Sequence, residues 1–437
     1  MKYLALFFCL LPQLVRAQQV LSLHDCVQLL TRNNLTYREG QLQAEQAHAL
    51  WRQARAQQLP TIGLGMSQSV NLGRSIDRFT NAYIDQLYNS NYLGAGVDVP
   101  IFRGFQVQHL IRQNQLLKES SLENRSAVLN QQTILLVQAY VQVLATKALN
   151  DAFVQQVEAS QAQVDRVGKQ VKAGVLGESA LFEMKAQLAN DRFDQVTALN
   201  NYRAARLGLF QLLNVLPNDE VQLEPIDKTG LTDGSTDAQA IYEDARKVFP
   251  ELRGAELLRE SFKYQVKAIN AANFPSLSLS TNFGAFYAST NANLDYFQQL
   301  NSTRNGSLSL GLNIPIMGRW VTRPRVAVAR VQERLAQNAL DQRHQQLRQA
   351  IEQAVLDAQA STDRFEAARS MAESLQNSFV MVESRLNAGT ADVFEYSLAK
   401  ANLARAQANA ILSQYEYLMR HKLLQFYRQG TWNGVVE

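Results

Sequence analysis

Between Thr61 and Leu72 the chain alternates, with Ile62, Leu64, Met66, Val70 and Leu72 on one side and Gly63, Gly65, Ser67, Ser69 and Asn71 on the other. Side chains of a strand point to opposite faces with period two, so this is a strand with one apolar and one small polar face. The same pattern recurs three times. From Tyr92 to Ile101, Leu93, Ala95, Val97, Val99 and Ile101 oppose Gly94, Gly96 and Asp98. Leu277, Leu279, Phe283 and Ala285 oppose Ser276, Ser278, Ser280, Asn282 and Gly284, and Leu308, Leu310, Leu312, Ile314 and Ile316 oppose Ser307, Ser309, Gly311 and Asn313. The expected strands are 61–72, 91–101, 276–287 and 306–316.

After each pair of strands the period changes to that of a helix. Phe105 to Val167 and Arg325 to Ala388 are runs without glycine or proline. Helix interiors exclude those residues because proline costs about 3 kcal/mol and glycine about 1. Long helices are therefore expected over 103–168 and 324–387. The first run alone would extend roughly 95 Å, about three times the apolar core of a bilayer. Leu122, Leu129, Leu136, Val143 and Leu144 recur near heptad spacing among Gln and Ala, as in packed antiparallel helices with a wet surface. Each run ends at a glycine-bearing turn, Ala173-Gly174-Val175-Leu176-Gly177 (tip 170–180) and Ala388-Gly389-Thr390-Ala391 (tip 387–396), and returns as a helix. Shorter helices are expected over 22–34, with Ser22 as N-cap, and 35–58.

These elements form two copies of one plan. Leu59-Pro60 returns as Phe274-Pro275, Val99-Pro100-Ile101 as Ile314-Pro315-Ile316, and Ala173-Gly174 as Ala388-Gly389. Arg38 returns as Arg253, and Ala186-Gln187-Leu188-Ala189 as Ala401-Asn402-Leu403-Ala404, each 215 residues on. One spacing shared by strand and helix landmarks marks an internal repeat. The repeats are read as 18–215 and 238–437, joined by a linker at 216–237 rich in Pro, Asp, Thr and Gly.

Residues 1–17 combine Lys2, an apolar run from Tyr3 to Leu11 and Val15-Arg16-Ala17, the make-up of a cleaved signal peptide. Cys9 lies inside the apolar run behind Phe8 and does not suit lipid attachment. Cys26 is then the one cysteine of the mature chain, so an internal disulfide is excluded. Removing Lys2 and Arg16 lowers the formal charge from +4 to +2, which gives no reason to expect nucleic acid as a partner.

No stretch after the leader approaches the ~18 apolar residues of a membrane-spanning helix. The strands, at roughly 10 to 12 residues, do have the length of a tilted transmembrane strand. A soluble sheet would carry Lys, Glu and Thr on its wet face; these strands carry Gly, Ser and Asn there. The connections 73–90 and 287–305 are polar and dotted with Phe79, Tyr83, Tyr88, Tyr296 and Phe297, which suits external loops beside an interfacial belt. Four strands cannot close a barrel, and open edges in hydrocarbon are prohibitive, so several chains must share one. Two chains would give eight strands and a filled interior; three would give twelve and leave a passage.

Enzymatic chemistry finds no support. His24, His48, His109, His344 and His421 are dispersed, and no metal-ligand spacing, nucleotide loop or nucleophile elbow is present. No cofactor or metal is expected. Asp98 on a polar strand face reads as a solvated, lumen-facing group.

The two-fold repeat, strand pairs ending Val99-Pro100-Ile101-Phe102 and Ile314-Pro315-Ile316-Met317, and tips beginning Ala173-Gly174 and Ala388-Gly389 together resemble the TolC-like outer-membrane efflux proteins. The resemblance covers essentially the whole mature sequence. It implies a mostly α, mixed α and β fold in which each repeat gives two strands to a shared 12-strand transmembrane β-barrel, with long antiparallel helices forming a periplasmic α-helical barrel in a homotrimer. It further implies an exit duct in the outer membrane of a Gram-negative bacterium, among outer-membrane lipid. The duct would dock a periplasmic adaptor at the tips (Gly174, Val175, Gly389, Thr390) and serve an inner-membrane pump of the RND, ABC or MFS type. The alternative function is a periplasmic coiled-coil adaptor or scaffold, against which the strands argue. The family's tip carries an acidic residue six positions after its glycine. Glu395 holds that place in the second repeat, Ala180 in the first, and Ala391 stands where a basic residue is common. Asp392 and Glu395 share a face and, under three-fold symmetry, would each form a ring of like charges, a candidate periplasmic gate to which Glu178 is the weaker addition.

Overall fold

A computed structural model describes residues 20–217, 221–226 and 237–432. The leader expected at 1–17 and most of the linker expected at 216–237 lie outside the described residues. In chain order the elements are β1 (Val20–Leu21), α1 (Leu23–Asn33), α2 (Leu35–Ala56), β2 (Thr61–Asn71), β3 (Arg74–Ile76), β4 (Tyr83–Asp85), β5 (Tyr88–Arg103), α3 (Gln106–Lys172), α4 (Glu178–Leu213) and β6 (Gln222–Leu223). They continue with α5 (Ala238–Val248), α6 (Pro250–Asn270), β7 (Ser276–Ala288), α7 (Tyr296–Thr303), β8 (Asn305–Asn313), α8 (Arg319–Asn387) and α9 (Val393–Gln429). The described chain divides into two compact units, one made of residues up to Gly40, 125–250 and 344 onward, the other of 41–124 and 251–343.

The second unit holds a four-stranded antiparallel sheet in the order β2-β5-β7-β8. Its register aligns the apolar sets of all four strands. Leu64 lies opposite Ala95, Ala95 opposite Phe283, and Leu279 opposite Leu310. The small polar set aligns likewise, with Gly65 opposite Gly94, Gly94 opposite Gly284 and Ser280 opposite Ser309. A one-residue slip would move every apolar side chain to the wrong face, so this pattern fixes the pairing. The apolar face is bare in the single chain, with Leu64 87% exposed, and Leu308, Leu310 and Leu312 are exposed beside it. A contiguous patch of this kind marks a surface meant for another apolar phase.

Rings replace the missing side chains where glycines meet. A Cβ on Gly284 would come within 2.4 Å of the Tyr92 hydroxyl and 2.8 Å of its ring, and one on Gly94 within 2.8 Å of the ring, so Tyr92 lies across both strands. Such covering of glycine by a cross-strand aromatic recovers packing that glycine forgoes.

Three departures from the sequence-based expectation occur at prolines. β5 and β7 slip register between Pro100 and Phe102, because Pro100 has no N–H to give the ladder and the extra residue is taken up as a bulge. β8 stops at Asn313 rather than 316, ahead of Pro315, which biases and interrupts the strand in the same way. α8 begins at Arg319 and carries Pro324 inside it, so the loss of one hydrogen bond near the helix end is tolerated.

The connections expected to be irregular also carry structure. β3 and β4 form a small hairpin, and α7 is closed by a capping box of Asp295 with Gln298. Buried Gln299 ties that loop down by donating to the Asn291 and Leu294 carbonyls and accepting from Ala288 N. Elsewhere in this unit α3 approaches α6 closely enough for Ser120 Oγ to donate to the Gly254 carbonyl at 2.8 Å.

The first unit is helical around a core that includes Leu30, Leu136, Tyr140, Leu209 and Phe426. Ser22 caps α1 in a capping box with Asp25. β1 and β6 pair in parallel, and the buried Tyr140 hydroxyl donates to the Leu21 and Glu224 carbonyls, closing the ends of that short ladder.

Candidate functional site

The two helical turns are built alike at the backbone. α3 ends on Gly174 with φ +74°, its N–H bonded to the Val171 carbonyl at 3.0 Å, and Val175 N reaches the Gln170 carbonyl at 2.9 Å. α8 ends on Gly389 with φ +73°, Gly389 N reaches the Leu386 carbonyl at 3.0 Å and Thr390 N the Arg385 carbonyl at 2.9 Å. This is a left-handed helix stop that satisfies the last carbonyls, and glycine adopts it without a Cβ penalty. A Cβ at either glycine would meet open space, so backbone conformation alone demands glycine there. Val175 is exposed beside the first turn.

The side chains make the two turns different. α4 starts behind Gly177 with no side-chain cap, and Glu178 is an exposed acid in its first turn. α9 starts behind Asp392, whose carboxylate accepts from Glu395 N at 2.7 Å. Glu395 in turn accepts two bonds from Arg385, at 2.7 and 3.3 Å. The Thr390 hydroxyl donates to the Arg385 carbonyl at 3.1 Å, completing a ring of contacts around the second turn. Asp392 and Glu395 are thus brought together, while Glu178 sits on the other turn. The sequence alone does not point to Arg385, because an arginine in the last turn of a helix is an ordinary complement to the helix dipole.

Behind the turns Val164, Val167, Met184, Leu188, Val393 and Tyr396 form a buried apolar cluster. Burial pushes the Tyr396 phenol up to about 12, with Glu383 nearby acting in the same direction, so the ring serves as packing. Asp98, in the other unit, lies opposite Thr61 and Ser280 on the small polar face of the sheet and is exposed. No group of three or more His, Cys, Asp or Glu suited to a metal occurs among the described residues.

Strands of membrane-spanning length with one continuous bare apolar face, combined with very long helices that turn on left-handed glycines, are the make-up of an outer-membrane channel protein. The chain belongs to the outer membrane efflux protein family, whose model matches residues 26–215 and 241–426. It is 22% identical over 392 residues to protein CyaE of Bordetella pertussis, covering 90% of this chain and 80% of that one. It is 23% identical over 378 residues to the outer membrane protein TolC of Escherichia coli, covering 84% and 74%. Its fold matches the outer-membrane channel CmeC of Campylobacter jejuni with a TM-score of 0.81, at 17% identity over 93% of this chain and 85% of that one. The protein is an exit duct of the Gram-negative outer membrane that extends into the periplasm. The family is one of channels, not enzymes.

Proposed function

We propose that three copies of this chain close one twelve-strand barrel in the outer membrane and continue as a helical tube through the periplasm. In this reading the repeats 18–215 and 238–437 supply two strands and one long helical hairpin each. The observation that carries the reading is the sheet order, which leaves β2 and β8 as edges. Each unpaired backbone group in hydrocarbon costs several kcal/mol, so neither edge is tolerable in an isolated subunit. With β2-β5-β7-β8 antiparallel throughout, β8 of one copy runs antiparallel to β2 of the next, and rotation closes the ring. Three copies leave a passage where two would fill it with side chains.

Cargo enters from an inner-membrane pump of the RND, ABC or MFS type through a periplasmic adaptor, which docks on the turns at Gly174, Val175, Gly389 and Thr390. A wide duct lined by Gly, Ser and Asn selects little, so the pump does the choosing. Asp392 and Glu395, tripled by symmetry, ring the periplasmic mouth, with Glu178 an outlying acid. The test is the assembly state of protein extracted from outer membranes in mild detergent. A heat-sensitive trimer is expected on unheated gels, collapsing to monomer on boiling. Soluble periplasmic monomer would sink the reading.

A further inference from the structure

One buried polar cluster takes no part in the turns or the sheet. Asp191 of α4 and Lys400 of α9 face each other with Oδ2 and Nζ 3.6 Å apart, their side chains only 1% and 8% exposed. Ser160 of α3 lies between them, its hydroxyl donating to Asp191 Oδ2 and accepting from Lys400 Nζ. Gln156 of α3 and Gln187 of α4 both donate to Asp191 Oδ1 at 2.8 Å, which completes the carboxylate's partners. Lys400 is the member that crosses from the α8/α9 hairpin to the α3/α4 hairpin.

Buried ion pairs contribute little net stability, because desolvation offsets their attraction. Burial holds the Lys400 ammonium below the usual lysine range even with Asp191 beside it and Glu383 of α8 nearby. A group that costs this much is best explained by what it forbids. The α3 wall of the adjoining groove repeats with the heptad, Ala152 with Ala159 and Gln156 with Gln163. A wall of alanine and glutamine that repeats every seven residues offers a facing helix much the same surface in one register as in the next.

We infer that Ser160, Asp191 and Lys400 form a register pin that fixes the α8/α9 hairpin at one height along the α3/α4 hairpin, and hence the relative height of the two glycine turns. A slip of one heptad, roughly 10 Å of helix rise, would place Gln407 at Asp191 and carry Lys400 into the apolar cluster of Val164, Val167, Met184 and Leu188. Both charges would then be buried without partners, at several kcal/mol each. A single buried polar position fixing register in a coiled coil works by the same physics.

Cysteine pairs read the register directly in the full-length protein in membranes. Arg166 of α3 reaches Asn387 of α8 at 2.9 Å through its long side chain, so Arg166→Cys with Asn387→Cys, joined by a short bifunctional maleimide that spans the length the guanidinium arm covered, reports the native height. Arg166→Cys with Val380→Cys reports the slipped one. In the otherwise native chain the first pair should cross-link and the second should not. In the apolar variant Ser160→Ala, Asp191→Leu, Lys400→Met the slipped pair should rise at least tenfold, toward parity with the native pair. The exchanged variant Asp191→Lys, Lys400→Asp should restore native-only cross-linking. Native-only cross-linking in the apolar variant would overturn the inference. So would its failure to assemble at all, since the cluster would then be holding the fold together.

Discussion

At the residue scale, the most constrained position is the joint between β5 and α3. Gly104 takes φ +58° and is followed by Phe105 at φ +63°. A Cβ on Gly104 would come within 2.6 Å of the Ala271 carbonyl oxygen and 2.7 Å of Phe274 Cβ. Conformation and crowding both require glycine, unlike at the two turns, where conformation alone does. Gly104→Ala should therefore cost at least the ~1–3 kcal/mol of a strained backbone residue. Lower yield and a lower heat-dissociation temperature of the membrane-extracted protein are expected; unchanged heat stability would show that the joint can relax. The strict alternation around Gly94 and Gly96 announces a strand and its polar face, but nothing local says that Tyr92 covers a glycine on β7, because that strand lies about 190 residues further on.

At the element scale, the helical turns combine one shared backbone geometry with unequal side-chain support. The second turn is braced by Asp392, Glu395, Arg385 and Thr390, whereas the first has no side-chain cap on α4. Bracing of this kind opposes reshaping. Gly389→Val places a β-branched residue at φ +73°, which is a genuine outlier for such a side chain. Its strain should break the stop while leaving the four-stranded sheet intact. If an adaptor docks on these turns as proposed, its co-purification should fall several-fold in Gly389→Val with the amount of protein in the outer membrane preserved. Undiminished adaptor capture would remove the turns from the docking surface. The glycines themselves were legible in the sequence because a left-handed helix stop is a local demand. The brace was not, because an Arg–Glu pair ten residues apart forms only when the chain doubles back.

At the scale of the whole molecule, the proposed three-fold assembly would turn the carboxylates of the second turn into rings of like charge. Within one chain Asp392 caps a helix and Glu395 is held by Arg385, in a pair whose side chains are 52% and 41% exposed. Exposed pairs are worth about 0–1 kcal/mol, weak enough for a neighbouring copy or a multivalent cation to compete. In planar bilayers, Asp392→Ala with Glu395→Ala should lower cation selectivity and relieve block by multivalent cations on the periplasmic side. Arg385→Ala should move selectivity the other way by releasing Glu395. Identical selectivity in all three proteins would leave the two acids with helix capping alone.

The sequence by itself determined the kinds of element and the face each strand offers. Period-two alternation and the exclusion of glycine and proline from helix interiors are local steric facts, carried by neighbouring residues in any context. The 215-residue repeat and the left-handed turns at Gly174 and Gly389 belong to the same local grammar. Tertiary structure decided what required distant segments to meet. The β5–β7 register joins strands some 190 residues apart and absorbs Pro100 as a bulge, and the loops fold back as β3/β4 and α7. Ser160, Asp191 and Lys400 lie in helices whose separate patterns are Ala, Gln and Leu. A lysine or aspartate in such a helix normally faces solvent, and only the packing of three helices around one point turns these two into a buried pair.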